Sequence, residues 1–568
     1  MPALHRLSKQ SFGEPKPQNL LNCVYYTTHP AKMQLIFFFT FDELCSKIEK
    51  CIWNIQGGFK LVQTIAIIML ILFALAMVGI ALYARKYAKS VDSFLLGGRN
   101  IGAWMSAFAY GTSYFSAVIF IGYAGNTGWQ VGIGGIWIGI SNALIGCLLA
   151  WLVLAKKTRT MTHKLGASTM PEFFEARFES RGMKIYSALS IFIFLVPYCA
   201  TVYKGLGYLF SCVFPFTVDL IPGVSSEVYI MFIIAALTAC YLIPGGYVAT
   251  AMTDFIQGII MFFGVIIMVV VVVSNPVVGG LSEGLEKLRA IDPDLVNPTG
   301  GSMSGFLFYN VLLTSLGIWG LPQMIHKYYA IKDNESINKA AIVSTIFALV
   351  IGIGAYLVGA FGRLYLNNQL PNGNYDAVVP EMLVKALSTN VFTAVIFGIV
   401  VLLVLSASMS TLASIVLTSS SAIAIDLGKV IKPDMKEKTT VRLLKGLCLL
   451  FIVLSFLFAS LKIAFIMQLM SFSWGVVAGC FIGPYLWGLY SKKTTKAGAW
   501  VGLLTGIIVV GGGTIYLTLT SPDGFEAAKN MSQNMGVIAL FASIIVVPIV
   551  SKFTNSIPKK AVETAFDK

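Results

Sequence analysis

The chain has 568 residues, of which 57% are hydrophobic and 12% charged, with 41 Lys and Arg against 26 Asp and Glu. Apolar stretches of ~20 residues recur along its length, which excludes a soluble globular protein and a β-barrel built from short alternating strands. The basic residues are dispersed between the apolar stretches, so they indicate orientation in a membrane and not a nucleic-acid partner.

Residues 1–60 form a mixed N-terminal tail without the charged, apolar and small-residue regions of a signal peptide. Thirteen membrane-spanning helices are predicted after it, since each apolar stretch can cross a hydrocarbon core of ~30 Å. One extra helix lies at 61–84, five helices lie in 101–274, five in 303–490, and two in 491–568 before a C-terminal tail. The prediction is therefore an all-α, polytopic membrane protein with about 13 transmembrane helices.

Basic residues concentrate in every second connection between the predicted helices, for example at Arg85 and Lys86 and at Lys327 and Lys332. Such connections face the cytoplasm under the positive-inside rule. With an odd number of crossings, this pattern places the N-terminus outside and the C-terminus in the cytoplasm. We therefore predict a multi-pass protein of the plasma membrane.

Two predicted helices contain residues that interrupt a helix. The second has Gly111 within 109–116, and the seventh has Gly317, Gly320 and Pro322 within 316–322. Five helices separate the two interruptions, and such a matched pair indicates an inverted-repeat transporter with helices 2–6 and 7–11 as its halves. A simple kink is the alternative for either helix alone.

The ninth predicted helix, within 391–427, has a stripe of hydroxyls at four-residue spacing, with Thr411 beside it: Ser406, Ser410, Ser414 and Thr418. Small residues are the usual packing surface between membrane helices. Hydroxyl and carbonyl oxygens are also the ligands that hard cations such as Na⁺ prefer. The pattern alone leaves packing and ion binding both open.

Ionisable residues inside membrane helices are costly and therefore functional candidates. Asp254, in the sixth helix, could offset the charge of a cation at the hydroxyl stripe, or pair with a Lys or Arg at the cytoplasmic rim. Lys204, in the fourth helix, could attract a substrate carboxylate, snorkel to the interface or pair with Asp254. His326, at the end of the seventh helix, is interpreted as an interfacial residue.

Two motifs of the chain resemble those of the sodium/solute symporter family over roughly residues 61–490. They are Gly245-Gly246 followed by Asp254 and Gln257, and Ala407-Ser408-Met409-Ser410-Thr411-Leu412 followed by Ser420-Ser421-Ala422 and Asp426. The resemblance implies a LeuT-type fold with a 5+5 inverted repeat and the N-terminus outside. It also implies import of a small organic solute together with Na⁺ by alternating access.

The family's principal Na⁺ site, carried over to this chain, has backbone carbonyls and side-chain oxygens from two helices. The carbonyls would come from Thr112, Phe115 and Ala407, and the side-chain oxygens from Ser410 and Thr411. A possible second Na⁺ site would use Asp254, Ser410 and Ser414. Ala413 stands where a further hydroxyl is expected for that second site.

The resemblance is less definite about the substrate. Proline carriers of the family have an acidic residue where this chain has Tyr114, and aromatic residues where it has Thr314 and Ile318. Proline is therefore not favoured, and the chain looks closer to the pantothenate and monocarboxylate branches. We expect a carboxylate or an amino-acid-like compound, with these candidate substrate residues, although aromatic residues also serve in packing: Tyr110, Tyr114, Lys204, Gln257 and Trp319.

Other classes of membrane protein remain to be weighed. The chain lacks HExxH and nucleophile-elbow motifs, and it has no GxxxxGK[ST] loop, so we predict neither an enzyme nor an ATP-driven pump. A transporter-like sensor, or a channel without coupled solute transport, is the alternative to a symporter. The partners predicted for a symporter are the small-molecule solute and the lipid bilayer, with a monomer as the functional unit.

Overall fold

The computed structural model describes residues 57–87, 90–214, 224–387, 391–461, 463–555 and 557–566. Within these residues the secondary structure is helical, apart from turns and one isolated bridge between Ile101 and Ile331. The predicted all-α fold class is confirmed. The predicted tail lies outside the described residues up to residue 56, and the first helix begins at Gly57, four residues before the predicted start.

Thirteen long or central helical segments are numbered here in chain order. They are α1 Gly57–Ala84, α2 Ala103–Tyr114, α3 Val118–Leu165, α4 Arg181–Val213, α5 Ser226–Ser274, α6 Ser304–Leu316, α7 Pro322–Ala330, α8 Asn334–Ala360, α9 Val391–Ser421, α10 Glu437–Ser460, α11 Ile466–Tyr490, α12 Lys496–Thr520 and α13 Ser532–Lys552. Shorter helices, left without labels, lie in the connections: Val91–Leu96, Met170–Phe178, Leu281–Ile291, Gly362–Tyr365, Val378–Leu387, Gly428–Ile431, Phe525–Asn530 and Lys559–Phe566.

The number of membrane crossings differs from a simple count of helices. Eleven helical segments in the described part of the chain are long and apolar enough to cross a membrane. Two of them, α3 and α5, have 48 and 49 residues. Because a helix rises ~1.5 Å per residue, each is long enough for two crossings of ~30 Å. Thirteen crossings stay a prediction.

Glycines with left-handed backbone divide both of these long segments. Gly132 has φ 54° and begins a 3₁₀ turn that ends at Gly135, and Gly246 has φ 57° inside α5. Residues with a Cβ rarely adopt this conformation, so glycine is suited to both positions. The breaks lie at the boundaries predicted from the sequence, at 124–132 between helices 2 and 3 and at 243–247 between helices 5 and 6.

The two predicted interruptions are present in the structure. α2 ends at Tyr114, and Phe115 is extended (φ −102°, ψ 125°) before helical structure resumes at Val118. α6 ends at Leu316 and continues as a 3₁₀ turn, Gly317–Gly320, before α7 starts at Pro322. Proline fits the first turn of a helix because the missing N–H has no partner there. Each of these spans is therefore two half-helices joined by irregular backbone.

Burial decreases from the centre of the helix bundle to its edge. Within the apolar window of each helix, 94% of residues are buried in α11 and 72% in α9, against 22% in α1 and 28% in α12. The exposed residues of α1 are large and apolar, for example Leu72 and Leu75. In a bilayer such a surface faces lipid tails. α9 and α11 therefore form the centre, and α1 and α12 lie at the periphery.

Glycines allow α3 and α8 to pack with their backbones in contact. A Cβ on Gly139 would lie 2.5 Å from the carbonyl carbon of Gly352, and a Cβ on Gly128 would lie 2.2 Å from that of Gly359. Small residues at such contacts let membrane helices approach closely, where van der Waals packing replaces the hydrophobic effect. These contacts hold α8 against α3 both before and after the break at Gly132.

Candidate sodium and substrate sites

The hydroxyl stripe of α9 is buried and faces the end of α2. Ser410 Oγ lies 2.7 Å from Thr112 Oγ1, and Ser414 Oγ lies 2.7 Å from Ser113 Oγ. Thr112 Oγ1 donates its one proton to the carbonyl of Phe108 at 2.7 Å, so Ser410 is the donor in its bond to Thr112. The stripe thus joins the two helices through polar contacts at the point where α2 breaks.

Thr411, beside the stripe, contacts three backbone carbonyls. Its Oγ1 lies 3.3 Å from the carbonyl oxygens of Thr112 and Ser113 and 3.1 Å from that of Ala407. The last carbonyls of a helix have no partner within it, which is why those of Thr112 and Ser113 are available to α9. The structure brings together four of the five residues predicted for the principal Na⁺ site: Thr112, Ala407, Ser410 and Thr411.

Phe115, the fifth predicted residue, is buried directly after the end of α2. Its carbonyl is not among the three that Thr411 Oγ1 contacts. Next to it, the amide of Ala117 donates to Ser408 Oγ at 3.0 Å, a contact that the sequence analysis did not anticipate. Ser408 belongs to the motif shared with the symporter family, and this membership is the sequence signal that could have identified it. It holds the broken segment after α2 against α9.

The oxygens of this cluster are suited to a hard cation. Ligand oxygens lie about 2.3–2.6 Å from a cation such as Ca²⁺, so neighbouring ligands in an octahedral shell are roughly 3.3–3.7 Å apart. The distances from Thr411 Oγ1 to the carbonyls of Thr112 and Ser113 reach the lower end of this range. Carbonyls and hydroxyls at the broken helix therefore fit Na⁺ by donor type and by spacing.

Asp254 is completely buried on α5, and the nearest cation to it is Lys327 on α7. Lys327 Nζ lies 3.8 Å from Asp254 Oδ2 and donates to Ser414 Oγ at 3.0 Å. Of the basic partners left open for Asp254, the structure shows Lys327 and not Lys204, which donates to the carbonyl of Ala464. Lys327 was expected in the connection after the seventh span, but it lies within α7, which continues to Ala330, and it is 1% exposed.

His326, which was interpreted as an interfacial residue, is likewise buried against other protein groups. It is 6% exposed, and its ring lies 5.3 Å from that of Tyr247. A gap too small to hold a water molecule lies beside it and is lined by Lys327, Ser414 and Thr418. The seventh span was predicted to end at His326, whereas α7 continues to Ala330, so Lys327 lies within a helix and not after it.

Three of the five candidate substrate residues converge on one segment. The Tyr110 hydroxyl donates to the Gly146 carbonyl at 2.7 Å, and Trp319 Nε1 donates to the Ile145 carbonyl at 3.0 Å. The Tyr114 hydroxyl donates to the Thr314 carbonyl at 2.7 Å. The same hydroxyl is packed against Gly146, where an added Cβ would lie 2.3 Å from it. The segment is Asn142–Leu149, where α3 is a π-helix, a distortion frequent at functional sites.

The other two candidates lie elsewhere. Gln257 Nε2 contacts the sulfur of Met77 on the peripheral α1 at 3.5 Å. Lys204 Nζ donates to the carbonyl of Ala464, just before α11, where Asp376 also accepts from the amide of Ile466 at 3.1 Å. Neither residue is brought to the aromatic cluster around α3. Their substrate roles stay predictions.

Comparisons with known proteins add independent information. The family model described as "Sodium:solute symporter family" matches residues 94–506. The high-affinity proline transporter PutP of Bacillus subtilis is 28% identical over 76% of this chain and 88% of its own length. The sodium/proline symporter of Staphylococcus aureus is 27% identical over 88% of this chain and 95% of its own length.

A solved structure shares the fold. The substrate-bound, outward-open Na⁺-coupled sialic acid symporter superposes with a TM-score of 0.68, at 20% identity, over 87% of this chain and 98% of that chain. The predicted LeuT-type fold is thereby confirmed. These curated relatives are proline transporters, so they do not support the expected similarity to pantothenate and monocarboxylate carriers.

Proposed function

The chain belongs to the sodium:solute symporter family, and we propose that it imports a small amino-acid-like carboxylate together with Na⁺ across the plasma membrane. Membership makes it a multi-pass, Na⁺-coupled solute symporter and not an enzyme. The class of solute and the location in the plasma membrane are our proposals beyond family membership. We further propose that a monomer is the functional unit, with the N-terminus outside, the C-terminus in the cytoplasm and no nucleic-acid partner.

One observation carries the proposal for the coupling site. Oxygens of α2 and α9 meet at the broken end of α2, where Thr411 Oγ1 lies within 3.3 Å of three carbonyls. A cation held there contacts both helices, so its binding favours the arrangement in which they are close. We assign the principal Na⁺ site to the carbonyls of Thr112, Phe115 and Ala407 with the hydroxyls of Ser410 and Thr411.

The coupling follows from this arrangement. Na⁺ entering from outside stabilises the outward-facing state, and the solute closes the site above it. Separation of α2 from α9 in the inward-facing state then removes two of the five ligands, the carbonyls of Thr112 and Phe115, and releases the ion. The membrane potential contributes about 2.3 kcal/mol per charge for each 100 mV, in addition to the Na⁺ gradient.

One observation supports an amino-acid-like solute, and a second argues against proline itself. The matched relatives from Bacillus subtilis and Staphylococcus aureus are proline transporters by name. In this chain the Tyr114 hydroxyl is bonded to the Thr314 carbonyl, at positions where proline carriers have acidic and aromatic residues. We therefore expect a carboxylate related to an amino acid, with proline itself bound less well than by those relatives.

Uptake by purified protein in proteoliposomes tests this function. An inward Na⁺ gradient should drive accumulation of at least one labelled solute from a panel of proline, other amino acids, pantothenate and monocarboxylates, whereas a K⁺ gradient should not. Counterflow of the labelled solute separates the alternatives. A sensor, or a channel without coupled transport, gives no exchange of any solute in the panel and would overturn the proposal.

A further inference from the structure

Lys327 is placed where a second cation would be expected. Asp254 is completely buried, and a buried carboxylate requires a partner of opposite charge or hydrogen bonds. In the described part of the chain, the cation within 4 Å of it is the ammonium of Lys327. The same ammonium donates to Ser414 Oγ at 3.0 Å. It therefore contacts Asp254 and Ser414, which together with Ser410 could otherwise form a second Na⁺ site.

The position of Lys327 on a half-helix makes this contact possible. α7 restarts at Pro322 after the break in the seventh span, so Lys327 is one and a half turns into a buried helix. Its amino group lies 5.2 Å from the centre of the Tyr247 ring, which adds a favourable cation–π contact. Ser414 in turn bonds Ser113 on α2 at 2.7 Å. One ammonium thus links α7, α5 and α9 and, through Ser414, α2.

Ala413, the residue before Ser414 on α9, is consistent with a lysine ammonium in this site. Ala413 is completely buried one position before Ser414 and supplies no side-chain oxygen. An ammonium needs three acceptors at most, because it has three protons to donate, whereas a Na⁺ ion needs a fuller shell of oxygens. A site with a carboxylate and few hydroxyls is therefore better matched to a lysine than to a dehydrated ion.

We propose that the ammonium of Lys327 takes the place of a second Na⁺ at Asp254 and Ser414, so that this transporter moves one Na⁺ with each solute. The inference rests on the proposed function. The lysine is attached to the protein, so its charge stays in the site throughout the cycle and is not released with the cargo.

The test compares wild type with the variant Lys327→Ala combined with Ala413→Ser. The first change removes the resident cation, and the second supplies a hydroxyl one position before Ser414. Equilibrium binding of ²²Na⁺ to purified protein needs no knowledge of the solute. We expect one Na⁺ bound per wild-type protein and two per variant protein. The ratio of ²²Na⁺ to solute moved in proteoliposomes should double in the same way.

Lys184→Ala is the matched control. Lys184 is also a buried lysine, but it lies 2.7 Å from Glu175 near the N-terminal end of α4. Whatever its effect on rate, it should bind one Na⁺ as wild type does. A wild-type count of two, or a count of one for the Lys327→Ala/Ala413→Ser protein, would overturn the inference. Failure of the proposed function looks different, since it gives no Na⁺-driven uptake of any solute.

A second comparison covers the case in which the variant does not fold. Lys327→Met leaves the Asp254 carboxylate buried without its partner, whereas Lys327→Met with Asp254→Asn removes both charges. We expect the double variant to melt several degrees higher than Lys327→Met alone in detergent, and Na⁺ to raise the melting temperature of Lys327→Met more than that of wild type. Equal melting temperatures for the single and double variants would overturn the pairing.

Discussion

At the scale of single residues, the hydroxyls of α9 make two kinds of contact with α2. Ser410 and Ser414 bond hydroxyls of α2 at 2.7 Å, so they pack the two helices against each other. Thr411 is beside the stripe and contacts carbonyls, which makes it the residue best suited to bind a cation. Periodicity identifies the stripe, but it does not distinguish hydroxyls that meet hydroxyls from one that meets carbonyls.

The principal Na⁺ site is tested by replacing Ser410 and Thr411 together with alanine. Loss of two side-chain oxygens should raise the Na⁺ concentration for half-maximal uptake at least tenfold, which corresponds to about 1.4 kcal/mol of binding free energy. Thr345→Ala is the control, because that hydroxyl is bonded within its own helix at 2.7 Å. An unchanged Na⁺ dependence in the Ser410/Thr411 variant would remove both residues from the site.

Lys204 has a structural partner, and this changes what its replacement should do. Its amino group donates to the Ala464 carbonyl, close to Asp376, at the turn that leads into α11. Lys204→Met should therefore lower the melting temperature and reduce uptake of every transported solute by a similar factor. Loss of uptake confined to anionic solutes, without a change in stability, would instead place Lys204 at the substrate.

At the scale of helices, the irregular backbone of two spans creates the polar sites. The break after Tyr114 leaves the carbonyls of Thr112 and Ser113 for Thr411, and the break before Pro322 allows a second helix to carry Lys327 into the protein. Freed backbone in a membrane is tolerated where it is buried or lines a cavity. Both breaks therefore place polar groups in the interior without exposing them to lipid.

The close contact between α3 and α8 can be tested at Gly139. Gly139→Val adds a side chain where a Cβ would lie 2.5 Å from the backbone of Gly352, so the helices must separate. Such overpacking costs about 1–3 kcal/mol, which we expect as a lower melting temperature and a lower transport rate. Gly79→Val on α1 is the control, because no atom lies within 4 Å of its added Cβ. A melting temperature unchanged by Gly139→Val would show that this contact contributes nothing.

At the scale of the whole molecule, central helices carry the proposed sites and peripheral helices face lipid. α9 is among the most buried helices and holds the proposed Na⁺ ligands, whereas α1 and α12 are largely exposed. Buried helices keep their polar groups in contact with other protein groups, which lipid could not provide. The proposed sites therefore lie in the centre of the bundle, where polar groups find hydrogen-bond partners in the protein.

Cysteine labelling from the two sides of the membrane tests whether the two parts of α3 belong to different crossings, the first of them shared with α2. If residues 118–131 and 136–165 belong to different crossings, then Ile133→Cys should react with an impermeant reagent from outside and Lys164→Cys from inside. Both substitutions are made in a protein whose native cysteines have been replaced. Labelling of both positions from the same side would contradict thirteen crossings with the N-terminus outside.

The sequence by itself determined the properties that depend on neighbouring residues. Apolar length predicts helices, Gly and Pro predict the breaks at 115–116 and 317–321, and four-residue spacing predicts the hydroxyl stripe of α9. The motifs around Asp254 and Ser410 were sufficient to recognise the family. Each of these properties is local, because it arises within one helix or one turn.

Only the tertiary structure decided which helices meet and at what register. Lys327 and Asp254 are 73 positions apart, and the chain between them forms the rest of α5, the short helix Leu281–Ile291, α6 and the start of α7, whose packing no local pattern specifies. The same holds for Lys204 and Ala464, and for Tyr114 and Thr314. A helical period tells which residues share a face, but the partner of that face is set by the packing of all the helices together.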